Sequence, residues 1–541
     1  MAFTSPKFGR NSLWLLPCLA AHCAWAEPLT PGSIGDMLKT PPQLQRPAPS
    51  PEVRTPPSAP TQIPEAGSAR ITVHEFVLTG NSVFSAEQLQ PLLQPFLDTP
   101  LSLAGLYAAA DRVADFYQAR GYTLASVAIP PQTVDEGRVT LQIIEGRIGK
   151  LRFEGNDDYG DPLLQGYFKH AKPETVYRSQ DLQQDLYAVN DLPGLKARAV
   201  LTPGETFGHS DVVVETDEKH FGVDAAIDNY GRQEVGEYRY SLGLTLNNPG
   251  RIGDQLRLAV LHSNTDRLNY GSAAYNLPLG SNGWRLDAAY GRALFKLAPP
   301  FDAGGKNQAA QMDVGRTWLH NANDQLATSV GYSFTDANAD LSGLPLSATR
   351  ISLMTLGVNA THVWRDGSVT QAIGSLHTNF QQADAGNLDR ERGRAEVSLQ
   401  HLQSLGPRLQ ALAEFDGVYS PDPLADTEQI AIGGPSTVRG FAPTEVRGDR
   451  GWYSRLTLRS PLFAGPVLLI PRVFYDTGVV GILNHPPGGK ERDSLSGTGI
   501  GTDVNYRQYS LHIEWAYPVD SRPTSDGRDS GRIYLSLSAA M

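Results

Sequence analysis

From about His220 to the last residue, the chain alternates apolar and polar side chains in short runs, and no helical periodicity interrupts them. Tyr240, Leu242, Leu244 and Leu246 oppose Ser241, Gly243 and Thr245, and Tyr509, Leu511, Ile513, Trp515 and Tyr517 oppose Ser510, His512, Glu514 and Ala516. Near the end, Ile533, Leu535, Leu537, Ala539 and Met541 share one face and Tyr534, Ser536 and Ser538 the other. Period two with a wholly apolar face is the pattern of a strand between two unlike environments. A soluble sandwich meets it with charges facing water; a transmembrane barrel meets it with apolar residues on lipid and charges in a wet lumen. Arg257, Arg455, Arg459 and Glu514 stand mid-strand on the polar side while Leu, Trp and Tyr run uninterrupted on the other, which favours the barrel. About 320 residues, in strand-plus-connection units of roughly 20, predict about 16 strands, an even number as such barrels prefer. No apolar run after the N-terminal segment reaches the roughly 20 residues of a helical span.

The N-terminus sets the compartment. Lys7 and Arg10 precede the apolar stretch Leu13 to Ala21, and Ala24-Trp25-Ala26 follows with small-x-small cleavage chemistry, so residues 1–26 read as a signal peptide. Both cysteines, Cys18 and Cys23, fall within it, leaving the exported chain without disulfides or thiolate sites. In 27–40, Thr30-Pro31 predicts an N-cap and first turn for a short helix through Lys39, against the opposition of Gly32 and Gly35. Residues 41–69 form a proline-rich linker, extended at about 3.1 Å per residue where polyproline II forms.

Between the linker and the alternating runs, a strand–helix–helix–strand–strand unit appears twice, at 70–147 and 148–218. Val73 to Leu78 is a strand ending at Gly80-Asn81, and Leu106, Ala110, Val113 and Tyr117 mark one face of a helix closed by Gly121. The second unit repeats this with Leu151 and Phe153 before Gly155-Asn156, then a helix with Ser179 as N-cap and Leu182, Leu186 and Val189 on one face. The spacing of the two Gly-Asn turns indicates a duplicated α+β domain.

Other chemistry finds little support. The formal charge of −11 offers no basic footprint for nucleic acid. There is no Walker loop, no H-E-x-x-H and no G-x-S-x-G elbow, so no enzyme activity, metal or cofactor is expected. Gly497-Thr498-Gly499-Ile500-Gly501 lies in a strand-like stretch and reads as strand packing.

Several motifs resemble the two-partner secretion outer-membrane transporters, the TpsB or ShlB/FhaC/HecB haemolysin secretion/activation type. Pro130-Pro131-Gln132, Glu136-Gly137-Arg138-Val139 and Ile144-Glu145-Gly146-Arg147-Ile148 are similar to the family's first POTRA signature. Asn190 to Gly194 and 201–211 are similar to the second, and Asp228-Asn229-Tyr230-Gly231 to the barrel entrance. The sharpest likeness is Gly433 to Phe441, whose Val438-Arg439-Gly440-Phe441 resembles the VRGF tip of a loop, about 421–449, folded back into the lumen. Phe474-Tyr475-Asp476-Thr477-Gly478 resembles the F-x-D-x-G element whose carboxylate receives that arginine. A guanidinium in a lumen needs such a partner, and its planar fork suits a carboxylate bidentately. The bland alternative is Arg439 on a solvated hairpin and Asp476 opening a turn.

The resemblance implies a membrane all-β fold, a 16-stranded transmembrane β-barrel with two POTRA domains, in the outer membrane with those domains in the periplasm. It implies an unfolded secreted partner of the TpsA type, lipid around a monomeric barrel, and the barrel-assembly machinery for insertion. The family's plug helix would be longer than the residues available before Pro41, and its last residue aromatic where Met541 stands. Strand edges beside amphipathic helices suit an extended peptide, so 71–78 (Val73, Phe76, Leu78) and 196–201 (Ala197, Ala199, Leu201) are the expected recognition stretches. Alternatives are an assembly or insertion factor with the same loop, a surface adhesin, or an outer-membrane enzyme.

Overall fold

A computed structural model describes residues 30–38, 44, 50–55, 70–299, 302–384, 393–485, 489–520 and 522–541. The expected signal peptide and most of the expected linker lie outside them. The predicted alternation closes into a cylinder: an antiparallel barrel running from Phe221–Asp228 to Arg532–Ala540 in sequence order. It has sixteen strands, the twelfth broken into Arg450–Arg459 and Leu462–Ala464, both paired with Val467–Gly481. The expected phases hold. Tyr240, Leu242, Ile513, Trp515, Ile533 and Leu537 face outward, whereas Glu514 and Tyr534 are buried inside. Met541 exposes its side chain in the same lipid-facing phase, and its backbone exchanges two hydrogen bonds with Val223 of the first strand, at 3.0 and 2.8 Å.

The two α+β units have the predicted order. The first combines Glu75–Thr79, helices Ala86–Leu93 and Leu103–Gln118, then Ser126–Ala128 and Arg138–Ile144. The second combines Arg147–Glu154, Asp161–Gln165, Ser179–Asn190, Leu195–Pro203 and His209–Glu218. In each, the first strand pairs in parallel with the last, the latter antiparallel to the middle one. Two sequence details shift: the first strand starts at Glu75, and Arg178 rather than Ser179 is the N-cap of its helix.

The duplicated Gly-Asn turns have a common cause. Gly80 and Gly155 both take positive φ, +83° and +81°, and a Cβ on either would strike a carbonyl of the adjacent last strand, Ile143 or Thr216. The following asparagine closes the turn through its amide, Asn81 to Phe84 O at 2.9 Å and Asn156 to Tyr159 O at 2.7 Å. A glutamate at the end of the last strand then accepts two consecutive amides of the turn. Glu145 takes Ser82 N and Val83 N, both at 2.7 Å, and Glu218 takes Asp158 N at 2.9 Å and Tyr159 N at 3.1 Å. Glu145 also accepts the Tyr117 hydroxyl at 2.9 Å, and burial together with this carboxylate pushes the phenol's pKa well up, so it remains a neutral donor. The Glu145-Gly146 motif therefore ties turn, helix and sheet at one point.

Replacing Glu145 by Ala strands these donors at about 1–3 kcal/mol for each one buried. The first unit is expected to unfold at a lower urea concentration in Glu145→Ala than in the wild type, with the barrel's heat-modifiable mobility unchanged. Equal urea midpoints, read by limited proteolysis, would contradict this account.

Candidate functional site: a loop pinned inside the lumen

The chain between Tyr419 and Arg450 is the sixth connection on the barrel rim opposite the α+β units, and it turns inward. A short hairpin, Ile430–Ile432 with Val446–Gly448, carries its stem. Asp449 anchors the base, accepting Leu424 N at 2.7 Å and Leu483 N at 2.6 Å, while Glu445 accepts the Ser525 amide and hydroxyl at 2.7 and 2.6 Å. At the tip Val438 and Phe441, both fully buried, pack with Ile432, Tyr453, Val480 and Leu495. Burying such side chains contributes roughly 1.5–3 kcal/mol each.

Arg439 is 1% exposed and its charge is met from several sides. Nε and Nη2 donate to the two oxygens of Asp476 at 2.7 and 2.8 Å, the backbone amide adds a third bond to that carboxylate at 3.1 Å, and Nη1 donates to Glu514 at 2.9 Å. The guanidinium carbon lies 3.4 Å from the centroid of the Phe474 ring, a cation–π contact. The sequence pairing of Arg439 with Phe474 and Asp476 is thus a direct contact, and the solvated-hairpin alternative does not hold. Asp476 and Glu514 sit on inward phases of strands Val467–Gly481 and Tyr509–Pro518, which lie either side of Arg492–Tyr506 and where period-two patterning places every second residue on the lumen.

Gly440 needs its missing side chain: φ is +101°, a Cβ would approach Pro518 N at 2.9 Å, and its amide donates to the Tyr534 hydroxyl at 3.2 Å. Tyr534 in turn donates to Phe441 O at 2.9 Å. Gly478 lies beside Val438 on the wall, and a Cβ on Gly497 would overlap the Arg439 carbonyl oxygen. The glycine-rich stretch read as strand packing is therefore the flat wall against which the tip lies.

Sequence reasoning missed three partners: the carboxylate of Glu514, the hydroxyl of Tyr534 and the Thr457 hydroxyl, 3.4 Å from Arg439 Nη2. Glu514 carried a signal, a carboxylate in mid-strand opposite tryptophan and tyrosine. The other two are ordinary lumen polars whose roles emerge only from barrel curvature.

Helix Pro31–Leu38 lies in the lumen too. Thr30 caps it, accepting Ser33 N at 3.2 Å, as Thr30-Pro31 predicted. Gly32 and Gly35, which oppose helix formation, are where the Asp426 backbone and the Asn307 amide press against it. Gly32 N donates to Asp426 at 2.8 Å, Arg447 bridges Asp426 and Asp36 at 2.7 and 2.8 Å, and Arg239 donates to Met37 O at 3.0 Å. The helix is thus tied to the base of the inward loop and to the wall.

The expected recognition residues are placed differently. Val73, Phe76, Ala197, Ala199 and Leu201 are buried core side chains, with Leu78 half-buried, so what their strands offer outward is backbone. Among the described residues the outer edge of Glu75–Thr79 pairs with no further strand, but that of Leu195–Pro203 is covered: Val53–Arg54 lies parallel to it, Val53 opposite Ala199. A linker was expected there; an added strand was not.

Comparison with known proteins fits this geometry. Residues 208–504 match the haemolysin secretion/activation protein ShlB/FhaC/HecB model, and residues 71–146 the ShlB-type POTRA domain. The chain belongs to this family. Relatives include the heme/hemopexin transporter protein HuxB of Haemophilus influenzae strain 86-028NP, 22% identical over 84% of either chain. The outer membrane transporter CdiB of Escherichia coli O6:K15:H31 (strain 536 / UPEC) is 26% identical over 84% of this chain and 81% of its own. The solved structure of CdiB from Escherichia coli has the same fold, with a TM-score of 0.69, 21% identity, and 92% and 94% of the two chains covered. As a member of this family the chain is an outer-membrane transporter of a secreted partner protein, its POTRA domains in the periplasm.

Arg439→Lys keeps the charge but replaces the planar fork by a point donor. Hydrogen exchange of amides 433–445 is expected to speed up on the order of tenfold or more, in line with the cost of disturbing a buried ion pair. Phe441→Ala should do likewise, at about 3–5 kcal/mol for a buried ring. Wild-type protection in both variants would show that neither contact holds the tip.

Proposed function

We propose that the Arg439 contact is a latch: the inward loop, held by Asp476 and Glu514, keeps the lumen in a defined state while an unfolded passenger, taken up by the POTRA domains, is passed through the barrel to the surface. The observation that carries this reading is a fully buried guanidinium spanning two wall strands from a loop that starts on the opposite rim. A tip packed only by apolar contacts would need no charge, whereas one set of ionic bonds can be made and broken as a unit.

Helix Pro31–Leu38 is a plug in this reading. It fills lumen space that a passenger would use, and its polar contacts to Asp426 and Arg447 run to the base of the same loop, so loop and helix are released from a shared anchor. The open edge of Glu75–Thr79 offers main-chain donors and acceptors to an extended passenger. The barrel acts as a monomer in lipid after insertion by the assembly machinery, and no nucleotide or cofactor enters the cycle; folding of the passenger outside makes passage irreversible.

Arg439→Ala and Asp476→Ala each strand the partner charge, at about 3–5 kcal/mol. Secreted passenger in the medium, normalised to folded barrel in the outer membrane, should fall on the order of tenfold or more in either variant. Undiminished secretion in both removes the latch.

A further inference from the structure

At the periplasmic rim, the lipid-facing side of the barrel carries an arginine that the described residues leave uncompensated. Arg316 stands near the end of strand Ala303–His320, in the phase that turns Met312 and Val314 outward. It lies opposite Trp284 on one neighbouring strand and Thr328 on the other. Its guanidinium carbon is 4.0 Å from the Trp318 ring centroid and 5.3 Å from that of Trp284. The register shifts between Thr317 and Leu319, a bulge that leaves Trp318 and Leu319 both on the outer surface, and Trp318 Nε1 is fixed by Thr328 Oγ1 at 2.8 Å. Arg316 forms no hydrogen bond or ion pair among the described residues, and its Nε is enclosed without an acceptor. Stacked on two indoles, the guanidinium keeps its terminal N–H groups for an anion from outside the chain.

A second cation comes from POTRA2. Lys169 Nζ donates to Ser281 O and Asn282 Oδ1, and the Tyr167 hydroxyl reaches Gly280 O at 3.5 Å, all on the barrel turn that leads into Trp284. Gly283 O of the same turn accepts Thr317 N at 2.9 Å, which sets the turn directly beside Arg316. Burial first, and the Arg316 charge with it, push the Lys169 ammonium's pKa below its ordinary value, although Asp185 opposes them. Two of the three ammonium donors are taken by the turn, and the third is left over. Two like charges thus approach each other with no carboxylate bridging them, an arrangement that an interposed anion relieves.

We propose that Arg316 and Lys169 bind the phosphate diester of an anionic phospholipid in the periplasmic leaflet, so that one lipid bridges POTRA2 to the barrel wall. The surroundings favour a lipid over a soluble anion. Leu279, Trp284, Val314, Trp318 and Leu319 are all exposed around the pair, an apolar and indole surface of the kind that meets glycerol and acyl chains at a membrane interface. A zwitterionic headgroup would bring its own ammonium toward the two cations, whereas an anionic one brings none. The lipid would join the direct contacts that seat POTRA2, Asp158 with Arg251 and Asp191 with His320, and make that seat sensitive to the charge of the inner leaflet. The inference uses the outer-membrane placement and is independent of the latch.

The test reconstitutes the full-length transporter in vesicles of phosphatidylglycerol and phosphatidylcholine in equal parts and reads the lipids it retains by native mass spectrometry. We expect the wild type to hold phosphatidylglycerol in preference to phosphatidylcholine, Arg316→Gln to lose that retention on the order of fivefold, and Lys169→Gln to lose a smaller share. Arg350→Gln removes a cation, 71% exposed, farther toward the cell surface on the same wall and should leave retention unchanged. Heat-modifiable mobility checks that each variant barrel is folded. Amides 166–172 of POTRA2 should exchange more slowly in the mixed vesicles than in phosphatidylcholine alone for the wild type, and equally in both for Arg316→Gln. Equal retention of the two lipids by the wild type, equal wild-type exchange in the two vesicles, or full retention by Arg316→Gln overturns the proposal. Release of the lipid by millimolar inorganic phosphate at constant ionic strength also overturns it, since the site would then take a bare anion. None of these results bears on export of the passenger.

Discussion

A positive charge held inside a membrane cylinder must be neutralised where it lies, and much of the interior is organised around that need. Arg439 could not be buried by a single carboxylate on one strand without leaving donors unmet. Asp476 takes the fork and the backbone amide, Glu514 the remaining amino group, and Phe474 covers the flat face. These demands fix which strands must curve around the loop tip and which wall positions must be glycine, because the peptide carrying the arginine lies directly on the barrel. The arrangement stabilises one loop position strongly and its near neighbours hardly at all, since bidentate geometry tolerates little displacement.

The periplasmic part applies a related rule. In each POTRA unit a carboxylate at the end of the last strand receives consecutive amides from a Gly-Asn turn, so a set of partly buried donors becomes the joint between sheet and helices. The two copies use the joint differently. The first adds a tyrosine hydroxyl from its long helix, while in the second Asp158 beside the clamped amides also pairs with Arg251 of a barrel turn at 3.2 Å. One joint is internal; the other helps seat a domain on the pore.

The barrel was legible because lipid and lumen impose opposite demands on alternate residues, leaving a period-two record over the whole C-terminal part. The latch was legible because its two halves are local motifs, 438–441 and 474–478, each with its own backbone constraint. Glu514 showed only as a mid-strand carboxylate on the lumen side, and Tyr534 not at all, because which strands curve around to face the loop is not recorded in a strand's own pattern. The Val53–Arg54 strand escaped notice for a different reason. Two residues among prolines carry no periodicity, and their conformation is imposed by the edge they meet. Conversely, Gly32 and Gly35 argued against a helix that forms, since intrinsic propensity yields to the close approach of Asp426 and Asn307.

The barrel wall is uneven in height. Strands Asp324–Leu341 and Leu344–Val363 pair almost end to end, whereas the first and last strands meet over a short seam, from Val223 opposite Met541 to Asp228 opposite Ser536, with the Asn229 side chain bonding the Ile533 and Leu535 backbone just beyond. Strands of eight and nine residues at that seam, rising about 3.3 Å per residue and tilted by roughly 40°, project to about 20–23 Å along the membrane normal. An apolar band of such barrels is about 25 Å tall. Acyl chains beside the seam face a wall a little lower than that band, a mismatch that favours local compression or splay on one flank of the barrel.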